Sequence, residues 1–201
     1  VMEVERLGKK ALALPVDLKE SSQVQAMVDK AVAGLGKIDI LVNASDRLMF
    51  KPFLEITENE WQRVISANLA PAFLCCRAVG RHMLENKKGR IINITSCLAE
   101  RGIGNGSAYC VAAGSVLQLT RALAMEWAGN GITVNAIGTG WFSETEKTGL
   151  DQEESLLRFL PLKRYGHPGE IGSLLAYLAS DTTDWVTGQF MYVDGVLMEH
   201  P

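Results

Sequence analysis

A strong excess of charge of either sign is missing from this chain. Across 201 residues, 20 Lys and Arg stand against 23 Asp and Glu, a formal net charge of −3. No basic footprint is left for nucleic acid or an anionic membrane surface. Histidine is scarce: His82, His167 and His200 lie far apart, none beside Cys, Asp or Glu at metal-ligand spacing, so no metal site is expected. Cys75, Cys76, Cys97 and Cys110 include no C-x-x-C pair, and in a chain of this length they are expected as free thiols of a reducing compartment, the cytoplasm. The absence of G-x-S-x-G removes the nucleophile elbow of one hydrolase class. No apolar run approaches the roughly 18 residues of a membrane span, so a soluble chain without a membrane partner is expected. No charged-then-apolar leader pattern opens the chain, which starts at Val1 as if within an element.

What is present fits one globular unit. Hydrophobic residues make up 47% and charged residues 21%, enough for one sizeable core and too short for two, so residues 1–201 are read as a single domain. Residues 1–7, closed by Gly8, read as a helix end with its glycine cap. Residues 10–16 (KALALPV) read as a short apolar strand ending at Asp17. A helix opens at Ser21-Ser22 and stops at Gly34 and Gly36. Residues 38–42 (IDILV) form a second strand, leading into Asn43-Ala44-Ser45, and 46–56 are a loop. Thr57 with Glu60 three residues later is a capping box for a long helix that Pro71 should kink or divide.

The remaining pattern repeats that alternation. Strands are expected at 90–94, 132–137 and 189–193, and helices at 108–128 and from Pro168-Gly169-Glu170 to about residue 180. Residues 141–165 are irregular, with a short helix at 153–159. Strands alternating with helices of this length argue for a parallel sheet covered on both faces. In such sheets ligands bind at the strands' carboxyl ends, here above Asp17, Asn43, Ser96 and Thr139.

One stretch carries chemistry. Residues 89–116 read GRIINITSCLAERGIGNGSAYCVAAGSV: a buried strand ending at Ser96, a glycine-rich loop, and a helix with Tyr109 near its start. With Asn43-Ala44, Asn68, Val134-Asn135-Ala136-Ile137, Val186-Thr187-Gly188-Gln189 and Val193-Asp194-Gly195 in order, the chain resembles the short-chain dehydrogenase/reductase family over nearly its whole length. The resemblance implies a Rossmann-like, doubly wound α/β fold and an oxidoreductase using NAD or NADP on a small alcohol/carbonyl substrate. Tyr109 would exchange a proton with the substrate oxygen, Ser96 would hold that oxygen, and Asn68 would help bind a water of a proton relay. Asp17 and Leu18 would receive the adenine, Asn43 and Ala44 would line the cofactor, and Thr139 and Gly140 would approach the nicotinamide. Trp141 and Phe142 would begin the substrate loop. The long helices 57–86 and 108–128 would pack on a twofold copy, giving a homodimer or homotetramer.

The departures from the family pattern are as informative. A free tyrosine titrates near pH 10, and the family lowers that value with a lysine one helical turn beyond it. Here Ala113 stands at that position, and no Lys or Arg falls between Arg101 and Arg121. The glycine-rich phosphate turn and the first two family strands are absent, so the sheet is expected either to hold a central gap or to close up. Ser45 replaces a glycine, and Thr139 replaces a proline. Three readings follow: an enzyme with impaired turnover and weak dinucleotide binding, a catalytically inactive homologue serving as a scaffold or regulatory subunit, or a truncated piece of an ordinary family member.

Overall fold

The structure, a computed structural model, describes residues 1–143 and 160–199. Its centre is a parallel sheet of β1 (Ile40–Asn43), β2 (Gly89–Ser96), β3 (Ile132–Thr139) and β4 (Phe190–Val193), in that spatial order. β2 and β3 pair along their full lengths, from Gly89 opposite Ile132 to Ser96 opposite Thr139. The helices are α1 (Met2–Arg6), α2 (Ser21–Leu35), α3 (Glu58–Asn86), α4 (Ser107–Trp127) and α5 (Gly169–Ala179).

Side chains alternate across the pleat, and the core divides accordingly. Ile91, Ile132 and Val134 point to one face, where they meet Leu74, Val79 and Met83 of α3 and Ala124 and Trp127 of α4. Ile92 and Ile137 point to the other, against Leu178, Ile171 and Leu175 of α5. Helices therefore cover both faces, as the near-continuous apolar strands require. The Thr57 capping box forms: Thr57 Oγ1 accepts from the Glu60 backbone at 3.3 Å, and the Glu60 carboxylate accepts from the Thr57 backbone at 2.9 Å. Pro71 divides nothing. α3 runs as one helix through it, with the ring buried.

Two expectations are corrected. Residues 10–16 form no strand, because a strand exists only through a ladder neighbour and this segment has none. The segment lies against α2 instead, Leu12 packing over Gly34. The sheet therefore shows neither a gap nor a closed seam. It simply ends at β1, whose Ile40 and Val42 are 45% and 37% exposed. The second correction concerns apolar length: Ser107–Asn130 is long and apolar enough to cross a membrane by length and composition. Its inward face, including Ala112, Val116, Leu117 and Ala124, is buried within this fold, which marks a core helix. The short helix expected at 153–159 lies outside the described residues.

Candidate active site

β2 and β3 end side by side, and this sets the site. Ser96, the last residue of β2, is buried, and its Oγ accepts from the Leu98 backbone at 3.2 Å, fixing the turn out of the strand. Thr139, its register partner, donates from Oγ1 to the Thr95 carbonyl at 3.1 Å. Gly140 follows with its amide on the Val193 carbonyl at 3.0 Å. A Cβ there would lie 2.7 Å from the Asp194 Cα, so the close approach of two backbones demands this glycine. Tyr109, near the start of α4, is 4% exposed. Ser96, Tyr109, Thr139, Gly140, Trp141 and Phe142 line one cavity of about 250 Å³, floored by Ile94, Leu98 and Ile171. Phe50 packs between the rings of Tyr109 and Trp141, at centroid distances of 6.2 and 5.9 Å.

The other expected residues fall into different settings. The Asn43 side chain turns away from the cavity mouth into a buried polar ladder. Its Nδ2 donates to Asn93 Oδ1 at 2.8 Å, and Asn93 in turn donates to Thr120 Oγ1 at 2.8 Å. Ala44 is exposed just beyond the end of β1. The Asn68 side chain is fully engaged. Its Oδ1 accepts from the Arg47 amide at 2.8 Å, and its Nδ2 donates to the Arg47 and Val64 carbonyls at 3.1 and 2.9 Å. It thus clamps the loop after β1. Asp17 stands at no strand end; it accepts from the Lys19 amide at 3.0 Å in the turn that enters α2, while Leu18 packs onto the core under α2 and α3.

Sequence reasoning missed Asp46. Tyr109 Oη donates to Asp46 Oδ2 at 3.1 Å. One side of the residue meets solvent, while the carboxyl turned toward Tyr109 is crowded by protein, and that burial raises its pKa above the usual aspartate value. The hydrogen bonds from Tyr109 and the Arg47 amide offset only part of this. Burial likewise drives the Tyr109 phenol upward, the Asp46 charge adds to it, and the Ser96 hydroxyl works in the opposite sense. Tyr109 is therefore a neutral phenol at physiological pH. Ala113 is buried at the back of a narrow cleft it shares with Tyr109, Asp46, Asn43 and Asn68. Among the described residues no Lys, Arg or His lines this cleft or the larger cavity. Cys97, in the cavity wall, is pushed up to about 11 by burial and is no nucleophile at neutral pH.

Comparison with known proteins places this geometry. The family described as Enoyl-(Acyl carrier protein) reductase matches residues 1–196. The 3-oxoacyl-[acyl-carrier-protein] reductase of Synechocystis sp. is 36% identical over 196 residues, covering 97% of this chain and 79% of that protein. The 5-keto-D-gluconate 5-reductase of Escherichia coli K12 is 34% identical over 204 residues, with 98% and 80% covered. The crystal structure of a candidate gluconate dehydrogenase from Agrobacterium tumefaciens agrees at a TM-score of 0.92 with 32% identity, over 100% of this chain and 81% of that one. ElxO, solved with NADP bound, shares the fold at a TM-score of 0.86 and 23% identity, over 92% of this chain and 77% of that one. A four-stranded parallel sheet covered on both faces, with Ser96 and Tyr109 on one cavity at its carboxyl edge, agrees with these matches, and the chain belongs to the short-chain dehydrogenase/reductase family.

Proposed function

We propose that the chain is an NAD(P)-dependent oxidoreductase that moves a hydride between a nicotinamide and an alcohol/carbonyl pair, with turnover slowed by Ala113. The observation that carries this reading is the placement of the Ser96 and Tyr109 hydroxyls on one cavity beneath Trp141 and Phe142. The two relatives compared above are named for reducing a 3-oxoacyl group and a keto-gluconate, so a ketone is the proposed reactive group.

The donor set fits the uncharged end of such a cofactor. Hydroxyls and apolar walls suit a nicotinamide ring and a carbonyl oxygen, while the Asp46 carboxyl on the same wall, with no cation among the described lining residues, disfavours a phosphate. Ala44, Tyr109, Thr139 and Gly140 would hold the nicotinamide half, with the Asn43 side chain committed to Asn93 behind them; only the family resemblance assigns the adenine to Asp17 and Leu18, which sit in the turn entering α2 and on the core. When bound, the nicotinamide supplies or accepts the hydride. With no Lys, Arg or His among the described residues lining either cavity to meet a phosphate, dinucleotide binding is expected to be weak.

Ser96 holds the substrate oxygen, and Tyr109 exchanges a proton with it as the hydride moves. Because Tyr109 is a neutral phenol, it is suited to donating that proton during carbonyl reduction. Trp141 and Phe142 exclude water from the substrate side. The competing reading is an inactive homologue acting as a scaffold or regulatory subunit. It draws on Ala113 and on the upward shift of Tyr109. Under either reading a homodimer or homotetramer through the outer faces of α3 and α4 is proposed; Val64 and Val116 are buried within the chain, leaving Phe73 exposed for such a contact.

Ala113→Lys separates the two readings. A lysine there points at Tyr109 and Asp46 and has to widen the narrow cleft they share, and its charge then favours the ionised tyrosine. The enzyme reading predicts a rise in carbonyl-dependent NAD(P)H oxidation of about tenfold or more, measured at millimolar cofactor. No turnover in either protein supports the scaffold.

A further inference from the structure

The loop after β1 is held in a way that its composition does not explain. On one side Asn43 is locked into the buried Asn93–Thr120 ladder. On the other, the Asn68 side chain grips both the N–H and the C=O of Arg47. Asp46 lies between these two fixed points, and its carboxyl reaches the phenol of Tyr109, whose hydroxyl donates to it. A buried asparagine from α3 with both ends of its amide committed to one backbone residue is a rigid mount, and what it mounts is a carboxyl on the proposed acid/base. Lys51 of the same loop is paired with Glu60 in the first turn of α3 at 2.9 Å, so it does not compete for Asp46.

We propose that Asp46 is a positioning residue for the reacting proton, the second member of a relay that runs from the substrate oxygen through Tyr109 Oη to the Asp46 carboxyl. The inference deepens the oxidoreductase reading and rests on it. In carbonyl reduction a hydride from the reduced nicotinamide adds to the carbonyl carbon as the C=O π bond breaks. The Tyr109 O–H bond breaks and its proton goes to the substrate oxygen. Solvent on its exposed side protonates the Asp46 carboxylate, which passes that proton to Tyr109 Oη and is left as carboxylate again. The carbonyl gains two electrons and the nicotinamide loses them, so charge and atoms balance. In alcohol oxidation each step reverses, and the hydrogen bond present in the structure, Tyr109 donating to Asp46, is already oriented for it.

The upward direction of the Asp46 pKa agrees with this role, since burial makes the carboxyl easier to protonate from solvent than an exposed aspartate. The titratable groups facing the pair are few: Tyr109 from α4, Cys97 from the end of β2, and no cation among the described residues lining the two cavities.

Two measurements on the 201-residue chain test the proposal. The first needs no cofactor: the Asp46 carboxyl is titrated by carbon-13 NMR, with Asp46→Asn to assign the signal. Its midpoint is expected above that of an ordinary aspartate and is expected to rise further in Tyr109→Phe, which removes a hydrogen bond to the carboxylate. The second is the pH profile of ketone reduction. Wild type is expected to lose kcat as pH rises through the Asp46 midpoint. Asp46→Asn is expected to lower kcat about tenfold or more, with KM little changed and that limb gone. Asp46→Glu should restore part of both. A midpoint that ignores Tyr109→Phe, or an unchanged kcat profile in Asp46→Asn, overturns the relay. If neither wild type nor Ala113→Lys turns over, the oxidoreductase reading fails by itself, and the NMR coupling alone decides whether Asp46 and Tyr109 form a proton-sharing pair.

Discussion

At the scale of single residues, the site has exchanged one charge for its opposite. A lysine beside a tyrosine favours phenolate, whereas Asp46 beside Tyr109 favours phenol. Ala113 and Asp46 line the same cleft, so the absence of one charge and the presence of the other are felt by the same hydroxyl. This arrangement also costs stability. Asp46 is protonated more readily in the folded chain than in the unfolded one, so its raised value favours folding below the unfolded pKa of about 3.9, and the benefit is lost as pH rises through the folded value. Asp46→Asn should therefore raise the Tm at pH 7 relative to wild type, with a smaller difference near pH 3, as thermal denaturation followed by circular dichroism would show. A lower Tm at pH 7 would mean that the carboxylate is stabilised where it stands. Gly140 illustrates the opposite lesson: its glycine answers to the Asp194 backbone, whatever binds above it.

At the scale of elements, α3 links the scaffold to the site. Its capped first turn carries Glu60 to Lys51, and Asn68 further along binds Arg47 in the loop after β1. Asn68→Ala leaves the Arg47 N–H and C=O without these partners and should lower stability by about 1–3 kcal/mol, read as a shift in the urea midpoint. It should also lower turnover, because Asp46 is released from its mount. A variant that loses stability and keeps the full pH profile would show that the clamp serves folding alone.

Much of this was legible in advance at the element scale. The capping box, the glycine stops and the apolar strands at 90–94 and 132–137 carry local signals strong enough to survive tertiary context. Residues 10–16 misled because an apolar alternation states only that a segment could pair, and pairing belongs to its neighbours. Asn68 was recognisable as a position, but its role was not, since the Arg47 backbone that its amide holds lies 21 residues away in sequence. Asp46 gave no local signal, because an aspartate in a loop after a strand is ordinary until the fold brings a tyrosine from α4 against it.

At the scale of the whole molecule, the two ends of the strands have separate functions. At the carboxyl ends lie the hydroxyls, the aromatic walls and the Asp46–Tyr109 contact. At the amino ends, Arg90, buried within β2, pairs with Asp184 and lies 3.7 Å from Asp181, tying the start of the sheet to the segment after α5. The chain spans about four-fifths of the length of the relatives compared above, and β1 is left as an open edge with Ile40 and Val42 partly exposed. The proposed chemistry therefore sits on the part of the sheet that is fully built, one strand in from that edge.

The measurement that bears most directly on the proposed function is carbonyl-dependent oxidation of NADPH and NADH, at millimolar cofactor and over a panel of ketones, in wild type and in Tyr109→Phe. Slow turnover that falls by about a hundredfold in Tyr109→Phe is the result predicted for an acid/base tyrosine. Turnover that is equal in the two proteins would contradict it, because the hydride would then be moving without the proton that Tyr109 is proposed to supply.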